Sequence, residues 1–184
     1  MDYRNYINSR DKVWALLIDQ RVSELPVRVS GICRNLGVSV KVASIDVGHD
    51  GYCTIIGGKA FAVISDSIGI RRQRFTLAHE LGHIVLGHVG TFPVSRSGET
   101  AFADPDEQAA NVFASRLLAP ACVLWGCSAF TPDQIAQLCD ISIRAAEIRA
   151  DRMKLLRERG AFLSSPLERR VYKQFKPFID THKF

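Results

Sequence analysis

The chain has 184 residues, of which 47% are hydrophobic and 23% charged, and a formal net charge of +5. That length suits one well-packed domain with a tail and falls short of two full domains. Residues 152–184 hold nine of the 24 basic residues and three of the 19 acidic ones, so the rest of the chain is nearly neutral and a fold that is basic throughout is excluded.

The first residues, MDYRNYINSRDKV, are polar where a secretory signal needs an apolar core, and aliphatic-rich runs such as Val13 to Ile18 are far shorter than a membrane span. The expectation is a soluble, cytoplasmic protein with no membrane partner. Five cysteines (Cys33, Cys53, Cys122, Cys127 and Cys139) are odd in number, scattered and free of any CxxC pair. They read as reduced, buried thiols rather than as a disulfide framework or a thiolate zinc cluster.

In chain order, residues 9–23 space Val13, Trp14, Leu17 and Ile18 for an amphipathic helix, with Ser9 as its cap. A second helix is expected from Pro26, suited to a first helical position, to Leu36, with Gly37 supplying the left-handed exit. The period then changes. VSVKVAS (38–44) alternates, while GYCTII (51–56) and KAFAVIS (59–65) are rich in branched and aromatic residues around Gly57-Gly58, a hairpin signal. A small antiparallel sheet is predicted.

Residues 72–88 return to helical spacing, with Phe75, Ala78, Leu81, Val85 and Leu86 available to pack on the sheet and Gly90 to end the helix. Residues 91–104 read as a loop. DPDEQAANVFASRLLAP (104–120) reads as a helix capped by Asp104, with Pro105 in the first turn and Pro120 at its end. Residues 131–157 suggest two more helices, broken near Ile141-Ser142. No internal repeat or low-complexity tract is present.

The chemistry lies in RFTLAHELGHIVLGH (74–88). On a helix, residues four apart share a face about 6 Å apart, so His79 and His83 can aim ring nitrogens at one tetrahedral ion without bending the backbone. Glu80 projects beside that face, which suits a carboxylate that handles the proton of water rather than binding metal. This is the HExxH arrangement of zinc metallopeptidases. A pair of satisfied core histidines is the competing reading, but two imidazoles and a carboxylate among apolar flanks need partners that a metal supplies. His88 lies roughly 140° round the helix from His83 and reads as a helix-terminal histidine near the C-terminal dipole.

A catalytic zinc takes three protein ligands and leaves a position open. Glu107 is the candidate for the third, since Glu107 and Asn111 share a helix face and the alanines between them permit close packing. The alternative stands beside it: with Asp104 as N-cap, Glu107 occupies the third helical position, where a capping-box glutamate is also expected.

FTLAHELGHIVLGH followed by EQAANVFASRLLAP resembles the ImmA/IrrE family of metallopeptidases, and DGYCTIIGGKAFAVISDSIGIRRQR (50–74) matches that family's strand region. The resemblance covers roughly residues 25–155. It implies zinc, one ion per chain, held by His79, His83 and Glu107, with Glu80 as general base. The family commonly has a second acid directly before the Ala-Asn pair, where this chain has Ala109; Asp104 and Asp106 are the other acids nearby. The implied fold is α+β, a small antiparallel sheet packed on a zincin-type helix bundle. The implied organisation is a peptidase domain over 1–160 and a basic extension over 161–184. The implied substrate is a helix-turn-helix repressor of a mobile element or stress regulon.

Such sites usually carry a further oxyanion donor, for which Tyr52 and His49 are available, although both also fit a structural role. A rival function comes from TPDQIAQLCDISIRAAEIRADRM (131–153), whose spacing resembles a helix-turn-helix with Arg144, Arg149 and Arg152 on the second helix. The family resemblance places that pair within the peptidase fold, so the expectation is against direct nucleic-acid binding.

Overall fold

The computed structural model describes residues 3–45, 48–89 and 104–184. Its elements run α1 (Tyr3–Asp19), α2 (Val29–Asn35), β1 (Ser39–Ala43), β2 (Gly51–Ile56), β3 (Lys59–Ser65), α3 (Ile70–Leu86), α4 (Pro105–Leu118), α5 (Ala121–Gly126), α6 (Pro132–Cys139), α7 (Ile143–Glu158), α8 (Pro166–Gln174) and α9 (Lys176–Thr181). The fold class is α+β, as expected. The chain divides into two compact units, one of Met1–Lys12 with Arg28–Ala114 and one of Val13–Val27 with Ser115–Phe184.

In the first unit the strands stand in the order β1-β3-β2. β2 and β3 form the expected antiparallel hairpin, turned by Gly57 and Gly58 at φ 55° and 76°, values that a side chain would resist. β1 corrects the sequence reading. It pairs with β3 in parallel, Val40 opposite Ala62 and Val42 opposite Ile64, so the sheet is mixed. The hairpin inserts β2 between β1 and β3 in sequence but not in space, and a strand reaching β3 by that route arrives parallel to it. α3 packs across β2 and β3, and Ala62 and Ile64 of the sheet and Ala78 and Leu81 of the helix are all buried.

Helix boundaries also differ in places. α1 starts at Tyr3, since no glycine or proline interrupts the residues before Ser9, which lies inside the helix and is buried rather than capping it. α2 starts at Val29; the chain around Pro26 instead runs through a bend between the buried Leu25 and Val27. α3 ends at Gly87, in the left-handed region at φ 80°, one turn before the expected Gly90, which falls outside the described residues together with most of the 91–104 loop. Asp104 caps α4, its Oδ1 accepting from the Asp106 amide at 2.8 Å.

In the second unit, α6 opens on a capping box, Thr131 with Gln134, and Ser142 caps α7, so the break at Ile141-Ser142 is where the spacing put it. α5 was not anticipated. Residues beyond 160 contribute Val171, Phe175 and Ile179 to this unit's interior, and Gln174 donates to the carbonyls of Leu17 and Val22 at 2.8 and 2.6 Å. The stretch Pro105–Gly126, 22 residues long, reaches the length and mean hydropathy of a membrane span, which aliphatic runs alone had not flagged; 72% of its apolar window is buried, as in a core helix.

Candidate metal centre

Two helices of the first unit build the site. On α3, His79 and His83 stand one turn apart, and their ring centroids lie 4.7 Å apart with planes at 73°. From α4, Glu107 reaches across: its Oε2 is 3.1 Å from His79 Nε2 and its Oε1 3.3 Å from His83 Nε2. The two Nε2 atoms are 3.0 Å apart. A tetrahedron with bonds of 2.0–2.1 Å has edges of about 3.3 Å, so the three donors sit close to where one small ion would hold them. The side chains are only 14, 12 and 18% exposed for His79, His83 and Glu107. Among the described residues this is the one cluster of histidine, cysteine and carboxylate groups with such convergence.

Gly82 lets the helices meet. A Cβ on it would lie 3.1 to 3.3 Å from Cδ1, Cγ and Cβ of Phe113, which is fully buried on α4. Asn111, one turn beyond Glu107, sets its Oδ1 3.1 Å from His79 Nδ1. An Nδ1–H donated there assigns the tautomer that leaves Nε2 free for a metal. The sequence had placed Asn111 on the right face without giving it this task. Glu107's carboxylate is engaged by the two imidazoles, while the capping is done by Asp104.

The site opens into a cavity of about 380 Å³ whose wall includes Glu80, Cys53, His49, Phe75 and the ion pair of Asp50 with Arg72. Glu80 is 7% exposed. Burial raises its pKa, opposed by the neighbouring His79 and by a hydrogen bond from Cys53. Glu107 moves the other way, well below the usual carboxylate range, because its contacts with the His79 and His83 rings favour the charged carboxylate. For His79, burial favours the neutral ring, but Glu107's hydrogen bond and the charges of Glu80 and Glu107 outweigh it and raise the pKa.

Of the two oxyanion candidates, His49 lines the cavity and Tyr52 does not, because β2 alternates and turns Cys53 inward. His88 lies just past the end of α3 rather than in its last turn. Its ring packs edge-on against His83 at 5.4 Å, with Nε2 3.6 Å from Asp106, and burial lowers its pKa. Sequence reasoning missed Cys53's place beside Glu80 and the Asp50–Arg72 pair, neither of which has a local signal.

A mixed sheet crossed by an HExxH helix, with a carboxylate brought in from the next helix, defines a metallopeptidase class of fold and site. The family model for the IrrE N-terminal-like domain, peptidase M78, matches residues 33–149, and the chain belongs to that family. A comparison with curated proteins found no match.

Proposed function

We propose that the protein is a zinc-dependent endopeptidase that acts in the cytoplasm on a helix-turn-helix repressor of a mobile element or stress regulon. The observation that carries the reading is the convergence of His79, His83 and Glu107 within 3.3 Å of one another, beside a buried Glu80 and in one cavity. Two imidazoles and a carboxylate favour zinc over calcium or magnesium, which prefer all-oxygen shells. When bound, the ion supplies Lewis-acid polarisation of the scissile carbonyl and acidification of water. Glu80 accepts the proton of the attacking water and returns it to the leaving amine. Asn111 keeps the His79 ring in one tautomer and orientation. The substrate class rests on family membership and on the resemblance of 74–120 to ImmA/IrrE sequences.

The test is incubation of the zinc-loaded protein with repressors encoded beside its gene, read by intact-mass spectrometry. Discrete, chelator-sensitive fragments are expected, and Glu80→Gln should retain zinc while losing at least ~100-fold in rate. Cleavage at the wild-type rate by Glu80→Gln would remove Glu80 from the chemistry. Salt-dependent retardation of a DNA duplex without any cleavage would favour the helical pair at 131–157 as a DNA-binding element instead.

A further inference from the structure

The cavity follows α3 from Arg72 past Thr76 and His79 to His83, and Arg72 is the one arginine or lysine in its wall among the described residues. Arg72 lies in the first turn of α3, seven residues before His79, which puts it on the same helix face about 10.5 Å back along the axis. Beyond the other end of α3 the wall carries His88 and Asp106. We propose that Arg72, held by Asp50, is the specificity-determining residue of the site and receives an aspartate or glutamate side chain of the substrate.

The guanidinium is positioned and still open to a ligand. Arg72 donates through Nε and Nη2 to Oδ2 of Asp50, both hydrogens of Nη1 lie outside that pair, and the Arg72 side chain is 64% exposed. Asp50 is in turn tied to the sheet, because its carbonyl accepts from the Ser65 amide at 2.8 Å and so extends the pairing of β2 with β3. Gly51, next in the chain, lets α3 close on the strand: a Cβ there would lie 2.6 Å from Cγ2 of Thr76, one turn on from Arg72. Charge complementarity names the ligand. A carboxylate side chain meets Glu80, Glu107 or Asp106 elsewhere along the wall, whereas the planar fork of Arg72 matches it in charge and shape. Asp50 offsets part of that attraction, so the expected discrimination is modest. An extended peptide advances about 3.3 Å per residue, so with the reach of the arginine side chain the acidic residue lies about two to four residues from the bond at the metal.

The inference rests on the proposed reading of the site as a peptidase, and a binding assay separates the two. The probes are N-acetylated, C-terminally amidated peptides of alanine, serine and glutamine with one central glutamate, each paired with a twin carrying glutamine there. Fluorescence anisotropy with the chelator-treated protein, in which no cleavage is expected, should show the glutamate peptide binding ~3–10-fold more tightly than its twin. Arg72→Ala should bring the two Kd values together, and Arg72→Glu should favour a lysine twin instead. In the zinc-loaded protein, degenerate peptides read by mass spectrometry should be cut with acid enriched about two to four residues to one side of the bond, an enrichment lost in Arg72→Ala. Glutamate-selective binding without any cleavage would remove the peptidase reading and leave Arg72 as the acid-binding residue. Equal binding of the twins by the wild type would overturn the inference. So would a glutamate preference that survives Arg72→Ala while only Tm falls, the result expected if the ion pair merely straps α3 to the sheet.

Discussion

Removing Glu107 tests the architecture of the metal centre most directly. Apparent zinc affinities of ~10–16 kcal/mol shared among four ligands give ~2.5–4 kcal/mol each, or ~10²–10³ in Kd for one ligand lost. Glu107→Ala should therefore weaken zinc binding by that factor, since both carboxylate oxygens face imidazoles at 3.1 and 3.3 Å. Asn111→Ala leaves all three donors in place but frees His79 Nδ1, so ~10–100-fold is expected. Asp104→Ala removes the cap, which costs ~0.5–2 kcal/mol of helix stability and leaves affinity essentially as it was. Competition against a chromophoric chelator measures the three Kd values, and thermal denaturation of the metal-free proteins measures the stability changes. The reasoning fails if Glu107→Ala binds zinc as the wild type does, and the ligand role moves if Asp104→Ala or Asp106→Ala loses the metal instead.

Gly82→Ala gains ~1 kcal/mol of helix propensity but forces Phe113 aside at a cost of ~1–3 kcal/mol, and α4 carries Glu107 with it. A weaker zinc Kd without a rise in Tm is expected, and a higher Tm with wild-type affinity would refute the close-approach argument. Phe175→Ala, at a fully buried position between α8 and α9 in the second unit, should destabilise by ~3–5 kcal/mol in chemical denaturation, and a loss below 1 kcal/mol would mean the α8–α9 junction is not part of a core. All five thiols are buried and free; burial raises Cys33 and Cys127 to about 11, so at pH 8 they stay protonated and should react with a thiol reagent far more slowly than after unfolding. Because those folded pKa values exceed the ordinary 9.0, their contribution to stability is full below that value and fades as the pH climbs towards 11, which a Tm series from pH 8 to 11 will show.

The parts of the fold that the sequence announces are those with short-range causes. HExxH needs only helical periodicity to bring His79 and His83 together, and Pro105 and Pro132 with their caps mark two helix starts. SSPLE carried the same kind of signal for α8, in which Ser165 accepts from the Glu168 amide and Glu168 accepts from the Ser164 amide. What stayed hidden depends on which segments meet. Alternation in VSVKVAS predicts a strand but is silent on its neighbour, so the parallel pairing with β3 could not be read from it. Cys53 likewise looks like any small buried residue until the sheet and α3 set it against Glu80. At the end of α3 the sequence offered Gly87 and Gly90, and the helix stops at Gly87, which takes the left-handed conformation.

The electrostatics give the two glutamates different work. Glu80 and Glu107 line one cavity, yet burial lifts the first while contacts with two imidazoles depress the second. A carboxylate held ionised by the groups around it is suited to sit against a cation and poorly suited to carry a proton back and forth. A carboxylate whose charged form is disfavoured by its surroundings has the opposite aptitude: it takes up a proton more readily than an exposed carboxylate does and can give it back. Their backbone settings follow the same division. Glu107 extends from the first turn of α4 towards α3, so its reach is set by how closely the helices pack at Gly82 and Phe113. Glu80 lies within α3 itself, next to His79, where the sheet beneath supplies both the burial and the Cys53 contact. Separating two chemically identical side chains in this way requires a helix, its crossing partner and an inward-facing strand position, and these are the elements that residues 51–114 provide.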